Sequence, residues 1–464
     1  MEAIVLNISS LMPMLAFALV IYLVLRAPNI RIPFARKTIK VDYGLAPLIG
    51  VGLLVLTLSI NGGTIANGII GTETIRPYAI LIFFMSLAYI CVSLDMTGFF
   101  AYLSLVAMRA AKGDGRRLFL YFFLLSSFLT LFTSNDIVIL TLTPIIYYFS
   151  KNAKVDPTPY LIAEFFAANI WSVALYIGNP TNIIVAQAYK LSFVEYSRWM
   201  ALPAITAGTV CVALLWLIFR RRIPGKFQVP EVSPEDALKS KEGAVVGSIM
   251  LAACLVTLSL SSLINVPIWL ITLFYAGAMF AHDLLRYEIR VFRGSKKFDS
   301  YLPRMKEISL RMPWKIVPFV LGLFIMVESL SVYNWTGMMA SAISAASASV
   351  PAAVFIMGPL SSLASNLMNN QPMTILFTKV LQNSSFATSA AAQKGSMFAL
   401  ILGSNLGANL TLIGALAGIM WAKILVNKGC PITFREFSKY GFMIMPFVIA
   451  AGCLVIVLEL MFLV

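Results

Sequence analysis

Two asparagine clusters stand at matching places in the chain, Ser134-Asn135-Asp136 and Asn369-Asn370-Gln371, each inside an apolar stretch long enough to enter a lipid bilayer. Each follows a Leu-Ser-Ser step at the same distance: Leu125-Ser126-Ser127 leads to Asn135, and Leu360-Ser361-Ser362 leads to Asn370. In hydrocarbon an unpaired amide or carbonyl is expensive, so irregular polar backbone survives there only where it is buried in protein or lines a cavity. A polar element repeated at that depth predicts a transporter core with a duplicated binding site. The rest of the composition agrees. Of 464 residues 59% are hydrophobic and only 12% are charged, against roughly 25% charged in soluble domains. This is the make-up of a polytopic, all-α membrane protein.

Apolar spans fall near residues 3–25, 44–60, 77–94, 159–191, 200–219, 244–264, 267–281, 313–330, 395–427 and 441–464. The first is too long for a signal peptide and reads as a membrane helix. The net charge of +15 is concentrated in short loops: Arg26, Arg31, Arg36, Lys37 and Lys40; Arg109, Lys112, Arg116 and Arg117; Arg220, Arg221, Arg222 and Lys226; and the run from Arg286 to Arg311. Such loops face the cytoplasm and its anionic lipid, so the charge implies a bilayer partner and no nucleic acid. Ten crossings place all four loops inside only if both termini face outward and residues 118–151 and 351–383 each enter and leave on one side. Those two segments are expected to be re-entrant hairpins, one from each face of a cell membrane, with the asparagine clusters at their tips. The Ser-Asn-Asp run suits a helix start, and Pro372 suits the first turn after an Asn-Gln cap.

A repeat is visible. Phe193-Val194-Glu195-Tyr196-Ser197-Arg198-Trp199 matches Phe434-Arg435-Glu436-Phe437-Ser438-Lys439-Tyr440 in kind, and a proline follows each, Pro203 and Pro446. Thr97-Gly98 matches Thr336-Gly337 at nearly the same offset. The chain therefore divides into an N-terminal helix pair (1–62), a first repeat (77–222), a linker with two helices and a basic loop (223–312), and a second repeat (313–464). Because the halves begin on opposite sides, they are inverted repeats, the organisation of secondary transporters with a midplane site. The two Phe-Glu-Ser segments are expected to lie flat at the interface.

The long spans 159–191 and 395–427 are each interrupted, by Gly178-Asn179-Pro180-Thr181-Asn182 and by Gly403-Ser404-Asn405-Leu406-Gly407-Ala408-Asn409. Proline removes an amide donor and glycine weakens a helix, which frees carbonyls and amides to meet ions or polar solutes. The candidate solute-binding residues are Asn135, Asn179, Thr181, Asn182, Asn369, Asn370, Asn405, Asn409 and Thr411. Asp136, the acid at a hairpin tip, is the first candidate for ion coupling, since a carboxyl at that depth can load and release a proton, and Glu164 is the reserve. Asp95 and Glu328 read as interfacial or structural, and His282 beside Asp283 as a solvated loop residue. The five cysteines lack metal or disulfide spacing. No Walker loop, metal-binding His pair or nucleophile elbow occurs, so no enzyme chemistry and no cofactor beyond a coupling proton or sodium ion is expected.

These residues resemble the arsenical pump membrane protein (arsenite permease) family of the ion transporter superfamily, related to D-type sodium/proton antiporters and sodium/dicarboxylate symporters. The carrying segments are Leu94-Asp95-Met96-Thr97-Gly98-Phe99-Phe100, Ser134-Asn135-Asp136 with Leu142-Thr143-Pro144, Asn369-Asn370-Gln371-Pro372, and Leu410-Thr411-Leu412-Ile413-Gly414-Ala415-Leu416-Ala417 before Trp421. The resemblance implies proton-coupled efflux of arsenite or antimonite, and in some members a soluble ATPase subunit or a homodimer as partner. Where that family usually reads Asp-Leu-Gly-Pro-Lys, this chain has Asn405-Leu406-Gly407-Ala408-Asn409, and Asn169 stands where an acid is common. The lost charges keep sodium-coupled transport of an inorganic or carboxylate anion, or sodium/proton antiport, as alternatives. An ion channel is the alternative of another class.

Overall fold

Long runs of Leu, Ile, Val, Phe and Ala form helices whose backbone groups are satisfied within each segment, as lipid requires. The computed structural model describes residues 8–32, 37–72, 75–228, 233–292 and 302–462. Arg36, residues 3–7 of the first expected span and residues 293–301 of the expected basic loop lie outside the described residues.

Helix α1 (Ile8–Arg26) leads into an antiparallel pair, β1 (Asn29–Ile32) and β2 (Lys37–Lys40), with Asn29 opposite Lys40 and Ile32 opposite Lys37. Then come α2 (Ala46–Leu56) and α3 (Gly62–Ile70). A longer series follows: α4 (Pro77–Met96), α5 (Phe99–Ala110), α6 (Gly115–Phe132), α7 (Asn135–Asn152), α8 (Thr158–Trp171), α9 (Pro180–Ala188) and α10 (Phe193–Phe219). The linker holds α11 (Pro234–Ala237), α12 (Lys241–Ser259), α13 (Ser261–Ile264), α14 (Ile268–Phe292) and α15 (Leu302–Arg311). The series then recurs as α16 (Ile316–Val332), α17 (Trp335–Ala346), α18 (Val350–Met368), α19 (Asn370–Gln382), α20 (Ala390–Leu406), α21 (Leu416–Lys428) and α22 (Phe434–Phe462).

In both series the third and fourth helices form a hairpin, α6–α7 and α18–α19. The fifth and sixth form a helix broken by a single 3₁₀ turn, Tyr176–Gly178 in one half and Gly407–Asn409 in the other. By length and composition, nine segments among the described residues can cross a bilayer, including the first limb of each hairpin, Gly115–Phe132 and Val350–Met368.

The fold is helical as expected, with one short strand pair, β1 and β2, in what read as a basic loop. Three expectations are corrected. Residues 44–60 are not one span: the 11-residue α2 ends at Leu56 and a new helix starts behind Asn61, whose side chain caps the Thr64 amide at 2.9 Å. At 1.5 Å per residue α2 falls well short of the roughly 20 residues a crossing needs. The Phe-Glu-Ser segments do not lie flat. They are the opening turns of the unbroken helices α10 (27 residues) and α22 (29 residues), with Tyr196, Trp199, Phe437 and Tyr440 buried. A proline at mid-helix bends but does not end a helix that neighbours hold in place. Finally, His282 and Asp283 are helical, within α14. Asp283 is buried and accepts hydrogen bonds from Ser93 Oγ (2.6 Å) and Tyr89 Oη (3.1 Å).

The tightest seam is α18 against α20. Ser362 Oγ donates to the Gly403 carbonyl at 3.2 Å, and Asn366 Nδ2 donates to the Gly407 carbonyl at 2.8 Å. A Cβ on Gly403 would collide with the Ser361 hydroxyl, and one on Gly407 would lie 2.7 Å from the Ser362 carbonyl oxygen. Small residues at this seam let two backbones approach closely, which is what drives helix association in lipid. Gly403→Ala should therefore destabilise the detergent-solubilised protein by about 1–3 kcal/mol of overpacking. Gly277→Ala, where a Cβ meets nothing within 4 Å, should leave the thermal midpoint near wild type.

Candidate functional site

Polar caps shape the two hairpin tips. At the first, Ser134 caps α7 by accepting from the Ile137 amide (3.5 Å), and Asn135 Oδ1 accepts from the Asp136 amide (2.9 Å). At the second, Asn369 reverses the chain with φ of +71°, a conformation Asn tolerates better than most residues. Its side chain caps α19 by accepting from the Gln371 amide (3.5 Å), and Pro372 lies in the first turn, where a missing amide proton does no harm. The first helix break ends in the same way, with Asn179 capping α9 at the Thr181 amide (3.2 Å) and Pro180 at the first helical position.

Side-chain amides join these elements through the interior. Asn135 Nδ2 donates to Asn169 Oδ1, and Asn169 Nδ2 donates to Asn409 Oδ1, both at 2.9 Å. Asn409 Nδ2 in turn donates to the Phe166 carbonyl (3.3 Å). The first hairpin tip, the first broken helix and the second helix break are thus linked by one directional chain.

A second set centres on Asn405. Its Oδ1 accepts from Ser172 Oγ and from Asn179 Nδ2, both at 2.8 Å, while its Nδ2 donates to Asn182 Oδ1 (2.6 Å) and to the Ile401 carbonyl (2.8 Å). Asn182 Nδ2 completes the set by donating to the Ser172 carbonyl (2.7 Å), and Ser404 Oγ donates to Thr181 Oγ1 (3.3 Å). All of these amide side chains are buried. A buried amide that meets its partners within the protein rigidifies the core, whereas one left unpaired is costly.

The second tip is tied to its own half. The Asn370 amide donates to the Gly414 carbonyl (2.9 Å) and Asn369 Nδ2 to the Ile413 carbonyl (3.4 Å). Thr411 Oγ1 donates to Asn366 Oδ1 (2.6 Å). Among the described residues no hydrogen bond joins Asn369 or Asn370 to Asn135, so the two tips meet only through the breaks.

The coupling candidates separate in space. Glu164 is fully buried. Thr143 of α7 donates to its two carboxylate oxygens at 3.2 and 3.3 Å, Ser126 of α6 donates to its backbone carbonyl at 2.9 Å, and the Trp421 indole lies beside it. It therefore fastens both limbs of the first hairpin to the broken helix. Asp136 instead faces a cavity of about 790 Å³ between α4, α7, the α15–α16 corner and the start of α21, lined among others by Tyr43, Val92, Ser134, Thr141, Met312 and Leu416.

The other charged groups on this cavity are all paired. Asp95 holds Arg311 at 3.0 Å, Arg311 also holds Glu307 at 2.7 Å, and Lys315 pairs with Asp42. Asp136 has no ion-pair partner among the described residues. Of the site residues named from the sequence, Asp136 alone lines this cavity. Among the described residues no three His, Cys, Asp or Glu side chains gather as metal ligands would.

Asn169, Ser172 and Asn366, which carry much of the network, were not among the sequence candidates. Their signal was the spacing of lone polar residues in apolar stretches: Asn169 near the end of α8 and Ser172 at its C-cap are three apart.

A duplicated series of helices with two capped hairpins and two broken helices, joined by buried amides beside a membrane cavity, defines a polytopic membrane transporter. A family model described as citrate transporter (CitMHS) matches residues 5–394, and the chain belongs to that family. It is similar to the arsenical pump membrane protein of Escherichia coli, with 28% identity over 369 residues, covering 77% of this chain and 81% of that protein. It is also similar to a 46 kDa membrane protein of Mycobacterium leprae, with 26% identity over 408 residues, covering 87% and 90%. In structure it is like the Alcanivorax borkumensis YdaH transporter, with a TM-score of 0.53 and 14% identity, covering 98% of this chain and 99% of that one.

Asn405→Ala orphans the groups that Asn179, Asn182 and Ser172 present to it. Unfolding of the purified protein in detergent should show a loss of about 1–3 kcal/mol, the cost of stranding a buried polar group.

Proposed function

We propose that this transporter is an alternating-access efflux carrier for a small neutral oxyacid, arsenite or antimonite, exchanged for protons at Asp136. The observation that carries the reading is the charge pattern of the cavity. Its cations Arg311 and Lys315 are already paired, and its carboxyl Asp136 has no ion-pair partner among the described residues. A polyvalent anion entering this space would meet Asp136 without a free cation to compensate it, which is unfavourable in a low-dielectric site. A neutral hydroxylated solute donates hydrogen bonds to an ionised carboxylate, to Ser134 and to Thr141 without that penalty. The similarity to arsenical pump membrane proteins supports the same solute class.

In this reading the solute enters the cavity from the cytoplasm and its hydroxyl groups donate to ionised Asp136. After the carrier turns outward the solute leaves and a proton takes its place on the carboxyl. Protonated Asp136 no longer carries the charge that hinders its return, and the proton is released inside. Solute and proton compete for one group, which gives exchange. The hairpin tips and breaks form the bearing against which the halves move, as inverted-repeat carriers require.

A second reading rests on the family model described as citrate transporter: sodium-driven movement of a carboxylate, with the carbonyl-rich helix breaks holding the sodium ion. Proteoliposome flux separates the two. Proton-driven arsenite transport should fall at least about tenfold in Asp136→Asn, the loss of one coupling group's free energy. Flux that follows a sodium gradient, ignores a pH gradient and survives Asp136→Asn would contradict the first reading.

A further inference from the structure

The two halves differ at one pair of equivalent places. Pro144 stands nine residues past Asn135, and Lys379 stands nine past Asn370. Tyr89 precedes Thr97 by eight residues, and Glu328 precedes Thr336 by eight. In the first half, Pro144 lines the open cavity between α4 and α7. In the second half, the matching space between α16 and α19 is bridged: Lys379 Nζ lies 3.0 Å from Glu328 Oε2, and both side chains are largely buried, 18% and 14% exposed. Two more polar ties hold the same end of α19. Gln382 Nε2 donates to the Ala188 carbonyl at the end of α9 (2.6 Å), and Asn383 Nδ2 donates to Thr336 Oγ1 on α17 (3.4 Å).

The basic residues around α15 place the cavity on the cytoplasmic side. Since α16 runs outward from there, Glu328 and Lys379 lie in the outer half. We propose that the Glu328–Lys379 ion pair is the outer gate of the carrier, closing α19 against α16 while the Asp136 cavity is open and separating when the protein turns outward. The inference rests on the carrier reading and goes beyond it by assigning the gate to a pair that contacts no solute.

Physical chemistry suits the pair to this task. Two charges in a low-dielectric region are tolerable while joined, and removing one strands the other. Separation is cheap only if water enters, so the pair has two acceptable states, joined and dry or apart and wet. A proline and a tyrosine at the matching places of the first half cannot make such a bridge, which accounts for an open inner side and a closed outer side in one structure.

Side-specific labelling tests this in a variant whose native cysteines are replaced and that carries Ile375→Cys. Ile375 is a buried α19 residue one turn from Lys379 towards the tip. With oriented proteoliposomes and a membrane-impermeant maleimide outside, Glu328→Gln or Lys379→Met should raise labelling about tenfold through a shifted population. The charge swap E328K/K379E should return it to the starting level. Unchanged labelling in both single variants, or a swap that labels like them, would overturn the gate.

Should a single variant fail to fold, cross-linking serves. Glu328→Cys with Lys379→Cys, joined by a short bifunctional thiol reagent, should stop arsenite counterflow while a Leu140→Cys reporter in the cavity still labels from the cytoplasmic side. Linked protein that retains the counterflow of the unlinked control overturns the gate alone. Absence of arsenite counterflow from the wild-type protein contradicts the solute reading instead, and the labelling arm still decides the gate.

Discussion

An amide buried at membrane depth must find its partner inside the protein, and the arrangement of this transporter follows from that demand. Asn135, Asn169 and Asn409 satisfy one another in series, and Asn405 gathers Ser172, Asn179 and Asn182 around it. Each bond is modest, and hydrogen bonds between membrane helices average only about 0.6 kcal/mol. Their combined effect is positional. They fix a hairpin tip and two unwound breaks, elements with little regular backbone bonding of their own, at one level of the structure. Without those partners the breaks would expose bare carbonyls and amides to hydrocarbon.

The network also divides the labour of the site. Amides that hydrogen-bond to protein acceptors act as a clamp in this conformation. Asp136, at the same hairpin tip, has no ion-pair partner among the described residues and faces a cavity large enough for a small solute. Glu164 sits a few turns away and fastens the hairpin's base through Thr143 and Ser126. Two acids in one hairpin region thus have different surroundings, and surroundings decide which is free to exchange a proton.

Much of the fold was legible in the sequence for a simple physical reason. Gly, Pro and Asn interrupt apolar runs conspicuously, so the tips at Asn135 and Asn370 and the breaks at Asn179-Pro180 and Asn405–Asn409 appeared as punctuation, and their repetition gave the architecture. The residues that escaped lacked such punctuation. Asn169 near the end of α8 and Ser172 at its C-cap are single polar side chains in a largely apolar stretch, and their role depends on what the other half places opposite them. The cavity was hidden for a related reason. It is lined by Tyr43 together with Arg311 and Lys315, which come from two distant parts of the chain and meet only after folding. The short α2 and the β1–β2 pair were missed because apolar content and charge mark a membrane boundary without showing where a helix stops.

The coupling between Asn169 and Asn409 tests the central claim most directly, because that hydrogen bond joins the first broken helix to the second. Unfolding free energies of Asn169→Ala, Asn409→Ala and the double variant, measured in bicelles, form a double-mutant cycle. The account predicts a coupling of at least about 0.6 kcal/mol, the average for hydrogen bonds between membrane helices, whose maximum is about 1.7 kcal/mol. Effects that add to within about 0.3 kcal/mol, as they do for independent sites, would contradict it.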